Sequence, residues 1–227
     1  MAVILLVVII VTGVILLVKL RANNLSVAAS NSAQELEAFA LANNMQYAAS
    51  GDVLRQELQN SASPSSYQEN LNTEWIGNVI RGTWQNRDLV IYESVPKFGR
   101  TATPAIIVRM PVHRADQCIF LQPLSNGILL LFHGKPGPFI QSSSKWHKMS
   151  KDATTNFIPG QYIYTDDDAA ATQMLPGLRN ILPMPANTAV LIANNFLSLT
   201  SPTLSSTAAL PSLLNFSVSL ATIFDPT

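Results

Sequence analysis

The residues best placed to do chemistry lie at 127–139, GILLLFHGKPGPF, where an apolar run leads into His133-Gly134 and then Pro136-Gly137. The strand and oxyanion loop of an α/β-hydrolase would read this way, with backbone N–H groups aimed at a developing negative charge. Such an enzyme also needs a Gly-x-Ser-x-Gly elbow downstream, then an acid, then a histidine. Beyond Gly137 the glycines are Gly160 and Gly177, neither in that setting, and His147 is the last histidine. With no elbow, no serine gains a base to activate it. The stretch is therefore expected to be a buried strand closing on a Pro/Gly turn. A membrane-tethered hydrolase using His133 is kept as the alternative.

Other polar groupings fall short for comparable reasons. His113, Asp116 and Cys118 mix three ligand types, but the spacing fits no zinc pattern and a fourth partner is missing. Asp166-Asp167-Asp168 lacks the alternation, glycine and closing Glu of a calcium loop, so a solvated turn is expected. Lys145-Trp146-His147-Lys148 with Lys151 is the densest basic cluster and could touch anionic lipid, though Asp152 offsets part of it. Trp75, Trp84 and Trp146 read as core or rim aromatics. Asn24-Leu-Ser26 and Asn215-Phe-Ser217 have the spelling of glycosylation sequons and nothing more. No catalytic, cofactor-binding or metal-ligating residue is assigned, and no cofactor is expected.

Composition narrows the class further. The 227 residues carry 14 Lys+Arg and 14 Asp+Glu, so the formal charge is zero. Nucleic acid is excluded as a partner class, because its binding depends on neutralising many phosphates. Cys118 is the single cysteine, which rules out an intrachain disulfide and a thiolate zinc cluster.

The first twenty residues, MAVILLVVIIVTGVILLVKL, hold an uncharged apolar run from Ala2 to Val18. At 1.5 Å per residue this approaches the length needed to span a bilayer, and nothing basic precedes it as in a secretory signal. Residues 1–21 are expected to be an uncleaved transmembrane anchor meeting lipid through residues 2–20, followed by a tether over 22–31. Lys19 and Arg21 follow the run, so the positive-inside rule places the large domain, 32–227, in the cytoplasm.

Within that domain, Ser32-Ala-Gln-Glu35 reads as a capping box that opens a helix with Leu36, Phe39 and Ala40 on one face, ending near Asn43-Asn44. A further helical turn is expected over 52–59 and a loop over 61–66. Residues 76–84 and 89–95 read as a hairpin turning at Gln85-Asn-Arg-Asp88. More strands are expected at 105–110 (stopped by Pro111), 118–121, 128–132 and 158–164. A helix over 170–182 would put Met174, Leu178 and Ile181 inward. Residues 188–199 read as a strand pair, and 210–224 as a helix with Leu213, Leu214, Leu220 and Ile223 apolar. From Pro183 to Thr227 the one charged side chain is Asp225. That segment is either interior with a Ser/Thr/Asn surface or lies against another protein. The fold class is α+β: an N-terminal transmembrane helix, then an antiparallel or mixed sheet domain with flanking helices.

In order along the chain stand Leu36-Glu-Ala-Phe39, Asn44-Met-Gln-Tyr47, Val79-Ile-Arg-Gly-Thr-Trp84 with Leu89-Val-Ile-Tyr92, Ile106-Ile-Val-Arg-Met-Pro111 and Leu213-Leu-Asn-Phe-Ser-Val-Ser-Leu220. The series resembles the single-pass, membrane-anchored α+β proteins of high-GC Gram-positive bacteria. That resemblance covers most of the chain, but the loops around 61–66 and 145–151 do not match. It implies an interaction module and supplies no catalytic residues. The expected function is a non-enzymatic, membrane-anchored accessory subunit that binds and braces other subunits of a membrane complex, a respiratory or energy-transducing assembly being one candidate host. A sensor domain for a small apolar ligand is a further alternative.

Overall fold

The computed structural model describes residues 32–60, 73–96, 105–112, 119–123, 147–149, 161–165, 167–180, 185, 188–193, 195–201 and 207–225. The chain opens with helix α1 (32–42), strand β1 (Gln46–Ser50) and helix α2 (Asp52–Asn60). Strands β2 (Thr73–Trp84), β3 (Arg87–Pro96), β4 (Ala105–Pro111), β5 (Ile119–Pro123), β6 (His147–Lys148) and β7 (Gln161–Thr165) follow. Helix α3 (Asp168–Arg179), strands β8 (Ala189–Ala193) and β9 (Phe196–Ser201), a 3-10 turn (Thr207–Ala209) and helix α4 (Leu210–Phe224) complete it.

The strands form one nine-stranded sheet in the order β1-β2-β3-β4-β9-β8-β5-β7-β6. Every described pair is antiparallel, so the mixed alternative falls away. The late β8–β9 hairpin is inserted between β4 and β5. Residues far apart in sequence thereby close the middle of the sheet.

Register sorts the side chains into two faces. Ile80 pairs with Ile91, Ile91 with Val108, Val108 with Leu199, and Leu199 with Val190. This apolar row lies in one core cluster with Leu36 and Ala40 of α1, Leu178 of α3, and Leu213, Leu214, Leu220 and Phe224 of α4. On the opposite face Leu54 and Leu58 of α2 cover Ile76, Val79, Tyr92 and Ile107. Alternation along each strand produces the two clusters, because successive side chains point to opposite sides.

Local chemistry explains the connections. The β2–β3 turn is tighter than the expected four residues. Gln85 (φ 49) and Asn86 (φ 63) both take the left-handed conformation, which matches the twist of a two-residue hairpin, and the strand resumes at Arg87. Asn44 (φ 55) ends α1 where expected, and Asn195 (φ 61) turns β8 into β9. Asp167 caps α3 by accepting from the N–H of Ala169 at 3.0 Å, so the helix starts two residues before the expected Ala170. Gly177 lets α3 approach α4: a Cβ there would lie 2.8 Å from Ile223.

Helix α4 matches its expected bounds, with Leu213, Leu214 and Leu220 buried and Ile223 half-buried. The Thr207–Phe224 segment is long and apolar enough to cross a membrane by length and composition, but half of it is buried within the fold. Its apolar side chains are the core of this domain. The expected anchor at 1–21 and tether at 22–31 lie outside the described residues, as do the loop at 61–66 and the strand at 128–132.

Candidate interaction surface

Among the described residues, those singled out in the sequence assemble no catalytic group. His133, His113, Asp116, Cys118, Trp146 and Lys151 lie outside the described residues. His147 and Lys148 form the two-residue strand β6 rather than a loop. Asp167 and Asp168 open α3, which replaces the solvated-turn reading there. No group of three His, Cys, Asp or Glu side chains able to hold a metal is found among the described residues.

The structure instead reveals a polar cluster on the α1 face of the sheet. Gly77 pairs with Glu93 and Ile80 with Ile91, so Asn78 and Val79 together oppose Tyr92 as a bulge. Asn78 takes φ 50, a left-handed geometry that Asn tolerates better than most residues. Its amide nitrogen donates to the Glu93 carboxylate at 2.6 Å. The Ser32 hydroxyl at the start of α1 donates to the same oxygen at 3.0 Å. Tyr47 of β1 donates from its phenol to the Asn78 side-chain oxygen at 2.8 Å. Glu93 and Asn78 are both buried. Burial raises the Tyr47 phenol above its ordinary pKa, and the charges of Glu37 and Glu93 add to that.

A carboxylate buried on an apolar face is tolerable only when hydrogen bonds replace its hydration. Here those bonds join β1, β2, β3 and α1. Ser32 and Tyr47 give their hydroxyl protons to partners held in the sheet, and together the bonds seat α1 at one place on it. Sequence reading missed it. Its signal was Glu93 itself, since alternation places it on the same strand face as Leu89 and Ile91.

The capping-box pair also turns outward to tertiary partners. Ser32 reaches Glu93, and Glu35 accepts from the backbone N–H and hydroxyl of Thr207 at 3.3 and 3.4 Å. Further along, Phe39 stacks on Trp84 with centroids 6.2 Å apart. Trp84 and Gln85 both donate to the Asn215 side-chain oxygen at 2.9 Å. Arg87 meets the Asp225 carboxylate at 3.5 Å and its carbonyl at 3.0 Å. Helices α1 and α4 thus lie side by side along the hairpin.

The outward positions of α4 are Ser212, Asn215, Ser219 and Thr222, all uncharged. The Ser219 and Thr222 hydroxyls donate to the carbonyls of Asn215 and Val218, four residues back. Residues 210–225 therefore combine a core-facing apolar side with a Ser/Thr/Asn exterior, which over this part of 183–227 agrees with the first of the two alternatives read from the sequence. On the other face Arg109 lies over the Phe196 ring, 3.5 Å from its centroid.

No protein-family model and no curated protein matches the chain. Among solved structures it is similar to the crystal structure of the mycobacterial trehalose monomycolate transport factor A, TtfA. The TM-score is 0.53 at 10% identity, covering 84% of this chain and 93% of that one. At that identity the likeness shows a shared fold. The neighbour comes from a mycobacterium, within the bacterial group to which the sequence resemblance pointed.

Proposed function

We propose that this chain is a non-enzymatic accessory subunit, anchored through its N-terminal apolar run, which binds and braces a larger membrane complex. The observation that carries this reading is the fold shared, over most of both chains, with a protein named as a transport factor. That name makes a transport assembly a stronger candidate host than a respiratory one. The anchor-length run at 2–18 and its Lys19 and Arg21 flank support membrane attachment with the domain on the cytoplasmic side. The outer side of α4, uncharged at Ser212, Asn215, Ser219 and Thr222 and with the Ser219 and Thr222 hydroxyls bonded within the helix, can be desolvated against a partner at little cost.

Extraction of native membranes in mild detergent, followed by native electrophoresis, tests this. The chain should migrate in a band far above its own 24.6 kDa. Migration as a lone monomer under every gentle condition would overturn the reading.

A further inference from the structure

The two edges of the sheet are unlike each other. β6 is two residues long, whereas β1 spans five, Gln46-Tyr47-Ala48-Ala49-Ser50. β1 contains no charge and no proline, the devices that usually keep a free edge from pairing. Its inner side pairs with β2, and among the described residues no strand pairs with its outer side. Gln46, Ala48, Ala49 and Ser50 are exposed.

The exposed large apolar side chains among the described residues are Leu41, 70% exposed, and Val53, 68% exposed. They flank this strand in sequence, Leu41 in the last turn of α1 and Val53 in the first turn of α2. Helical spacing places Leu41 one turn beyond Glu37, on the flank of α1 away from Phe39 and Trp84. Tyr47 of β1 is tied through Asn78 and Glu93 to Ser32 of α1, so the helix packs beside this edge of the sheet. Because α1 and α2 cover opposite faces, an arriving strand would meet one apolar side chain above the sheet plane and one below it.

Charge selects the occupant. Residues 32–54 carry Glu35, Glu37 and Asp52 and no Lys or Arg. On the neighbouring strand Arg81 is already paired with Glu57 at 2.6 Å, and Arg55 is itself engaged. A second copy would present the same acidic stretch, with no Lys or Arg among residues 32–54, so charge gives it no attraction to this edge. A strand bearing Lys or Arg would be attracted instead. The tether of residues 22–31 reaches no more than roughly 35 Å. On the anchored reading proposed above, β1 follows the membrane by that span and α1, and cytoplasmic segments of membrane proteins are rich in Lys and Arg.

We propose that β1 is a strand-addition site that takes an extended, Lys/Arg-bearing cytoplasmic segment of a membrane-protein partner. Main-chain hydrogen bonds along the strand supply affinity, and contacts with Leu41 and Val53 supply register. This rests on the accessory-subunit reading and identifies where the contact is made.

The test places a photo-crosslinking residue at Ala48, with Ser212 on α4 as the comparison site, in the full chain in its native membranes. Ala48 should crosslink to a Lys/Arg-containing extended segment of a membrane protein, mapped by mass spectrometry. Leu41→Ser with Val53→Ser should lower that yield about tenfold, corresponding to partial burial of two apolar side chains. Both positions are exposed, and unchanged circular dichroism verifies that the double variant stays folded. A crosslink to a second copy would make the edge a dimer seam and overturn the proposal. A crosslink from Ser212 alone would overturn it too, as would none from Ala48 while the high-mass native band persists. In these last two cases the accessory reading survives, whereas loss of the native band itself removes that reading.

Discussion

The two faces of the sheet are held in different ways. One is covered by α1, α3 and α4, whose apolar side chains continue rows running across the sheet from Ile80 to Val190. The other is covered, among the described residues, by α2 through Leu54 and Leu58 over a patch centred on Tyr92. It also buries Ser94, whose hydroxyl finds no described partner, and Arg109. Among the described residues, the first face is held by area and the second by a few side chains. The lesson is that an element carries stability according to the number of rows it spans, and α4 spans several.

Substituting equivalent residues measures this directly. Leu214→Ala in α4 should lose stability toward the top of the range of about 2–5 kcal/mol for buried Leu→Ala, and Leu54→Ala in α2 toward the bottom. The short, half-exposed α2 can settle into the space left behind, whereas α4 packs against α3 and against β4 and β9 of the sheet. Urea unfolding of the two variants supplies the numbers, and equal losses would break the contrast.

Glu93 asks what one charge does to the otherwise apolar face. Glu93→Ala leaves the Asn78 amide and Ser32 hydroxyl without their acceptor, at a cost of about 1–3 kcal/mol. If the cluster seats α1, amide exchange should quicken in α1 before it does in α4. Uniform quickening would mean that Glu93 serves the sheet and not the helix.

The smallest effect belongs to the second face. Arg81 and Glu57 join β2 to α2 at 2.6 Å, but their side chains are 36% and 48% exposed. Glu57→Gln should therefore cost no more than about 0.5 kcal/mol, and thermal melts in high salt should erase the difference. A larger, salt-resistant loss would show that α2 depends on charge and not on its two leucines.

Much of the fold was legible because its signals are local. The spacing of Leu213, Leu214 and Leu220 marked α4, and the Asn43-Asn44 stop marked the end of α1. The β-rich runs around Gln85 marked the hairpin, although its turn is tighter than four residues because Gln85 and Asn86 both accept positive φ. β1 was hidden: Gln46-Tyr47-Ala48-Ala49-Ser50 has almost no apolar alternation, and its strand geometry comes from pairing with β2. The polar cluster beneath α1 was less legible still, because Ser32 and Glu93 stand 61 positions apart and meet, with Tyr47 and Asn78, through the bulge in β2.

By itself, then, the sequence determined the α+β class, most of the individual helices and hairpins, and the balance of charge. Apolar periodicity and turn chemistry act over a few residues, so they can be read along the chain. Tertiary structure decided the strand order, the insertion of β8–β9 between β4 and β5, the buried placement of Glu93, and the unpaired edge at β1. Those depend on which distant surfaces bury the most apolar area together, and only the folded chain settles that.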